Sequence, residues 1–206
     1  MNALLLFVKN PQLGHVKTRL AASIGPESAL EVYRYLLQHT REVALQLPVE
    51  RMLFYSQEII HQDEWPTPDF QKWIQDPSPD LGQKMHSAFS LAKDQGYEKV
   101  MILGSDCFQI TPEILHHAFE ALDTQPIVLG PATDGGYYGL GVNFAQGITH
   151  AHLTTIFLNK TWSHAHVADE ARAAFQSCGL PHIELPTLSD VDVEEDIAPI
   201  RHLFPW

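Results

Sequence analysis

Val100-Met101-Ile102-Leu103-Gly104-Ser105-Asp106 is an apolar run closed by a glycine, a hydroxyl and an acid. An uninterrupted run of this length suits a strand covered on both faces, as in a parallel sheet. An aspartate directly after it would stand at the carboxyl edge of that sheet. Ala3-Leu4-Leu5-Leu6-Phe7-Val8 has the same character and breaks at Asn10-Pro11 and Gly14.

Working outward, the spacing predicts a long amphipathic helix over 26–47, with Leu30, Tyr33, Leu37, Ala44 and Leu47 on one stripe. Strands are expected at 52–55 and 72–74, and a helix at 80–95, where Leu81, Met85, Ala88 and Ala92 share a face. Thr111-Pro112-Glu113 opens another helix with a hydroxyl cap, a first-turn proline and an acid favoured by the dipole. Strands at 127–129 and 137–142, a helix at 164–177, a strand at 182–185 and a final helix at 193–203 complete the reading. Strands alternating with helices imply an α/β fold, a largely parallel sheet with helices on both faces. Its ligands would bind beyond the carboxyl ends of the strands. With no repeat or linker visible, residues 1–206 are expected to form a single domain.

Asp and Glu number 25 against 13 Lys and Arg, for a formal charge of −12. The cations are scattered, so no nucleic-acid partner is expected. Two cysteines, Cys107 and Cys178, make no disulfide framework. The apolar start is too short for a leader or a membrane span, which leaves no membrane partner and a cytoplasmic location as the expectation.

Four segments carry the candidate chemistry. In the loop after the first strand, Gly14 followed by Lys17-Thr18-Arg19 at a helix start could surround a phosphate chain, or be a solvated basic turn; the pattern alone balances the two. It lacks the P-loop spacing. Asp106 could hold Mg²⁺ or Mn²⁺ that also bridges diphosphate oxygens, or merely cap the turn before Thr111; its position favours the metal. Asp134-Gly135-Gly136-Tyr137 would let a ligand approach the backbone, although a tight hairpin explains the same letters better when they are taken alone. Asp190 and Asp192 precede the acids of a helix start, and either could assist a metal on Asp106. Most of the twelve histidines read as surface or packing residues, since no zinc-ligand array is present. His164, after Trp162-Ser163, is the partial exception.

Together and in order, these segments resemble the DUF2064 group of glycosyltransferase-like proteins, also described as radical-SAM/selenodomain-associated transferases. The resemblance runs from Ala3 to about Leu203. It rests on Phe7-Val8-Lys9, Gly14-His15-Val16-Lys17-Thr18-Arg19-Leu20, Asp80-Leu81-Gly82-Gln83-Lys84-Met85, Gly104-Ser105-Asp106-Cys107, Gly130 to Tyr138, Trp162-Ser163 and Leu188 to Asp192. It implies the GT-A fold of nucleotide-diphosphosugar transferases, three layers around a mixed, mostly parallel sheet. The Lys17-to-Leu20 segment is also similar to the phospholactate guanylyltransferases, which implies phosphate roles for Lys9, Lys17 and Arg19.

From the resemblance follow further expectations. Gly14, Thr18, Gly82, Lys84 and Ser105 would join those cations around the nucleotide. Gly135, Gly136, Tyr137, Trp162 and His164 would face the sugar or acceptor, with Asp134 preferred to His164 as general base. Mg²⁺ or Mn²⁺ would sit on Asp106 with Asp192 or Asp190. The partners would be a nucleotide or nucleotide sugar and a small-molecule acceptor. Glycosyl transfer is the first reading, nucleotidyl transfer to a phosphorylated molecule the second, and a non-catalytic nucleotide-binding module the third. The chain departs from the pattern in four places. Ser105 takes the place of the first acid of a D-x-D motif, Phe108-Gln109 that of Pro-Gly, Lys84 that of an arginine, and His164-Ala165 that of Thr-Pro.

Overall fold

The computed structural model describes residues 1–206. One seven-stranded sheet runs in the order β3-β2-β1-β4-β6-β5-β7. The strands are β1 (Asn2–Val8), β2 (Glu50–Tyr55), β3 (Gln71–Ile74), β4 (Lys99–Gly104), β5 (Ile127–Pro131), β6 (Tyr137–Asn143) and β7 (His182–Glu184). Only β6 runs against its neighbours. The β1 pairings with β2 and β4, and that of β5 with β7, are parallel. The mixed, mostly parallel α/β sheet is therefore present.

The apolar runs become the central strands for a physical reason. Ala3, Leu4, Leu5 and Leu6 of β1 have no exposed surface, because successive side chains enter opposite layers. Leu4, Leu6 and Val8 join α2 (Pro26–Leu45) and α4 (Pro112–Ala121) on one face. Ala3 and Leu5 join α3 (Leu81–Asp94), α5 (His150–Phe157) and α6 (Val167–Ser177) on the other. Each leucine so buried contributes about 1.5–3 kcal/mol. A third, smaller cluster seats α1 (Thr18–Ile24) and the C-terminal segment on the outer face of α2 through Leu20, Val32, Leu36, Ile197 and Ile200.

Four elements differ from their sequence reading. The α2 helix ends at Leu45, two residues early, and Gly25 separates it from α1, which begins after Lys17 where a helix start was expected. α5 was not anticipated; its apolar residues Leu153, Ile156 and Phe157 are few, and Thr149 caps it through the His152 amide. α6 begins at Val167 rather than 164, because His164 to His166 form the turn before it. The last helix is 3-10 over Glu194–Leu203, with Pro199 inside it lacking an amide hydrogen. The Thr111 cap stands as expected, accepting from the Ile114 amide, and Asp80, read as the first helical residue, instead caps α3 by accepting from the Gln83 amide.

The reversal of β6 matters for the site. It brings the beginning of β6, Tyr137, to the edge where β1 and β4 end. The Asp134 turn thus faces Asp106 across the sheet's carboxyl edge. No helix is long and apolar enough to cross a membrane.

Candidate active site at the carboxyl edge of the sheet

The loop after β1 folds back over the end of the strand. Its anchor is Tyr33 of α2, whose hydroxyl accepts from the Lys9 amide at 2.8 Å and donates to the Lys9 carbonyl at 3.0 Å. Burial raises the Tyr33 pKa, so the phenol keeps its proton and can serve both bonds. Asn10 is buried and ties the same loop to the one after β2: Gln57 N–H donates to its Oδ1 at 3.0 Å, and its Nδ2 donates to the Glu58 carbonyl at 2.9 Å.

Lys17 occupies the cap position of α1 with φ 47°, a left-handed conformation uncommon for a residue with a Cβ. Strain of this kind gathers at functional sites. It turns the side chain inward: Nζ lies 2.7 Å from Asp106 Oδ1, 3.6 Å from Asp192 Oδ1, and donates to the Val191 carbonyl at 2.6 Å. Arg19 stays exposed, 3.7 Å from Asp192 Oδ2.

The segment carrying Asp190 and Asp192 is held beside β4 by backbone contacts. Val191 N–H donates to the Asp106 carbonyl at 2.9 Å, and Ser189 N–H to Gln109 Oε1 at 2.6 Å. Gln109, one of the departures from the family pattern, thus has a local role. Burial, with Asp106 and Asp134 nearby, pushes the Asp190 carboxyl up to about 7, and Lys17 opposes the shift.

Two contiguous spaces open here. A polar cleft of about 580 Å³ is lined by Lys9, His15, Lys17, Thr18, Arg19, Asp106, Asp134 and Asp192, with Tyr33 and Ser163 to Ala165. A more apolar compartment of about 290 Å³ adjoins it, walled by Phe7, Met85, Ile102, Tyr137 and Trp162 and edged by Asp190 and Gly136. Asp106, Asp134, Leu81, Ser163 and His164 border both.

Of the expected nucleotide residues, Lys9, Lys17, Thr18 and Arg19 therefore meet in the polar cleft. Gly14, with φ 76°, forms an exposed turn away from the lining. Ser105 is buried beside Tyr33, and Lys84 lies outside both spaces. Gly82 is a contact glycine: a Cβ there would stand 2.0 Å from the Phe157 carbonyl oxygen and 2.9 Å from the Trp162 ring. Gly135 does the same at the other end of the wall, 2.0 Å from the Ala165 carbonyl oxygen, while its own carbonyl accepts from Ala168 N–H. The Trp162-Ser163-His164 wall is thus seated between two glycines.

His164 is committed locally. Its Nδ1 accepts from His166 N–H at 3.2 Å, so Nε2 carries the proton and donates to the Thr161 carbonyl at 3.2 Å. Asp134 accepts from Gly136 N–H at 2.8 Å and faces both spaces. Tyr33, Asn10, Ser163 and the apolar compartment were not anticipated. Tyr33 reads in sequence as one residue of a helix stripe, and nothing in the letters shows which loop its hydroxyl meets.

The donor set suits a hard divalent cation, because Asp106, Asp190 and Asp192 crowd carboxylates around too little positive charge. No group of three His, Cys, Asp or Glu forms a ready ligand cage. Mg²⁺ does not need one, since one or two carboxylates plus phosphate oxygens and water complete its shell.

A structure from Desulfovibrio desulfuricans G20, provisionally named a nucleotide-diphospho-sugar transferase, superposes with a TM-score of 0.84 at 29% identity, covering 93% of this chain and 82% of that one. The 4-diphosphocytidyl-2C-methyl-D-erythritol synthase of Anaerococcus prevotii DSM 20548 gives 0.62 at 10% identity, with 98% and 95% covered. Rv0371c of Mycobacterium tuberculosis H37Rv, in complex with manganese, gives 0.54 at 10% identity, with 98% of each chain covered. These last two show the fold alone. No curated protein sequence matches the chain. The family model described as "Uncharacterized protein conserved in bacteria (DUF2064)" matches residues 39–164, which hold β4, the Asp134 turn and Trp162. With the sheet of the nucleotide-diphosphosugar transferase fold, this chain belongs to the DUF2064 family.

Proposed function

We propose that the protein is a metal-assisted transferase acting on an activated nucleotide, with glycosyl transfer from a nucleotide-diphosphosugar as its reaction. The observation that carries this reading is the meeting of Lys9, Lys17 and Arg19 with Asp106 and Asp192 in one cleft at the sheet edge. Cations from the β1 loop face carboxylates from β4 and the C-terminal segment, as a diphosphate with its counter-ion requires. The likeness to the Desulfovibrio protein supports the transferase class.

In this reading Lys17 and Arg19 hold diphosphate oxygens, and the α1 amino end adds its dipole. Asp106, with Asp190 or Asp192, would hold Mg²⁺ or Mn²⁺, which supplies charge neutralisation to the leaving diphosphate. Asp134 takes the proton from the acceptor hydroxyl. His164, with both ring nitrogens engaged, orders the wall beside it.

Nucleotidyl transfer is the second reading, favoured by the likeness in fold to the Anaerococcus synthase. A thermal-shift panel of NTPs and nucleotide sugars with Mn²⁺ tests the class, because a ligand of the folded state raises the melting temperature. One clear stabiliser is expected among the nucleotide sugars. Stabilisation by an NTP, with pyrophosphate released on turnover, selects the second reading; no response to any nucleotide refutes both.

A further inference from the structure

The two spaces differ in kind. Every lysine or arginine of the site lines the polar cleft, and none lines the 290 Å³ compartment. The compartment's walls are Phe7, Met85, Ile102, Tyr137 and Trp162, and its fixed charges are the carboxylates at its rim. The Tyr137 hydroxyl is turned onto Met85 Sδ at 3.7 Å, and the Tyr137 and Trp162 rings meet edge to face at 6.4 Å. Trp162 Nε1 is buried with no partner. A phosphate or carboxylate seated among these walls would lose its water with no lysine or arginine to pair it.

We propose that this compartment is the acceptor site and that the acceptor is an uncharged alcohol with a flat apolar body. This rests on the nucleotide reading above and goes beyond it. The volume, near the lower end of small-molecule sites, suits one ring system rather than a long chain. A nucleobase is the poorer occupant, because its edge wants several hydrogen-bond partners and the walls are chiefly the apolar side chains of Phe7, Met85, Ile102 and Val167 with two aromatic rings. Asp134 borders both spaces, so a hydroxyl at the compartment mouth faces the polar cleft. In the transfer the hydroxyl oxygen forms a bond to the anomeric carbon. The bond from that carbon to the diphosphate breaks, the nucleoside diphosphate leaves with the electron pair, and Asp134 takes the hydroxyl proton. A phosphorylated attacker, which nucleotidyl transfer needs, has no lysine or arginine to receive it here.

The test uses the whole protein, ligand-observed saturation-transfer NMR, and benzyl alcohol and benzyl phosphate as probes. Pyrophosphate with Mn²⁺ fills the polar cleft, and four free nucleosides are the competitors. Benzyl alcohol is expected to bind with and without pyrophosphate, and benzyl phosphate roughly tenfold or more weakly. Trp162→Ala should lose the benzyl alcohol signal while keeping its thermal shift with pyrophosphate, which shows that the variant is folded. Equal binding of benzyl phosphate, displacement of benzyl alcohol by a nucleoside, or no benzyl alcohol signal overturns the proposal. Benzyl alcohol binding without any pyrophosphate binding counts for the compartment and against the nucleotide reading.

Discussion

Lys17 Nζ and Asp106 Oδ1 stand 2.7 Å apart, joining the strained cap of α1 to the end of β4. The lysine side chain is 5% exposed and the aspartate 44%, so the cation is enclosed while the anion still faces the cleft. A diphosphate entering the cleft competes with Asp106 for this ammonium. The pair is thus a ready exchange point, in which phosphate takes the lysine and frees the carboxylate.

Substitution at Lys17 separates charge from backbone. Both Lys17→Ala and Lys17→Gly should lose the thermal shift given by pyrophosphate with Mn²⁺. Of the two, the glycine variant should be the more stable by about 1 kcal/mol, because φ 47° penalises a Cβ. Glycine is also the better of the two at a helix cap, so both effects point the same way. Chemical denaturation of both variants checks it, and an alanine variant that is the more stable would remove the strain argument.

Asp106→Asn keeps the shape of the β4 terminus and removes the charge. Titration calorimetry should show the Mg²⁺-dependent part of nucleotide binding abolished, with any metal-free binding retained through Lys9 and Arg19. Unchanged affinity in Mg²⁺ would sink the metal role of Asp106.

How much of this was legible in the letters depends on what each residue depends on. β1 and β4 could be read because burial on both faces demands continuous apolar runs, whereas their pairing, between strands separated in the chain by β2 and β3, could not. Lys17, Asp106, Asp134 and Asp192 could be placed at one edge because each directly follows a strand or opens a helix. The reversal of β6 could be read only from the Asp134-Gly135 hairpin, since an antiparallel strand buried on both faces has the same letters as a parallel one. The apolar compartment was hidden for a similar reason. Met85 and Ile102 look like any core residue until the shape of the wall opposite them is known.

The Arg172–Glu184 pair predicts a small acid sensitivity. Arg172 Nε donates to Glu184 Oε1 at 2.6 Å, and this bond holds the Glu184 carboxyl below its ordinary pKa. A carboxyl with a lowered folded pKa contributes stability above its unfolded pKa and loses it as pH falls through the folded one. Wild type should therefore exceed Glu184→Gln near pH 7 by less than about 1 kcal/mol, since both side chains are partly exposed. The gap should close below pH 4 or so, in the range where carboxylates take up protons. Melting temperatures of both proteins across that range decide it; a gap that widens on acidification refutes the assignment.

The two contact glycines give the strongest test of how the wall is built. An added methyl at Gly82 would sit 2.0 Å from the Phe157 carbonyl oxygen, and at Gly135 equally close to that of Ala165. Backbone cannot yield as a flexible side chain can, so each Gly→Ala change must push part of the 157–166 segment outward. The cost expected is about 1–3 kcal/mol from overpacking. Gly135 adds the penalty of φ 87°, so Gly135→Ala should be the worse of the two. Gly14→Ala is the control, for φ 76° is its only obstacle and open space surrounds it. It should lose about 1 kcal/mol and leave the wall in place. Trp162 fluorescence would carry the distinction, measured against Trp162→Phe to isolate its signal. A shift is expected in the Gly82 and Gly135 variants and none in the Gly14 variant. Equal spectra in all three would mean that the wall is not held by these contacts.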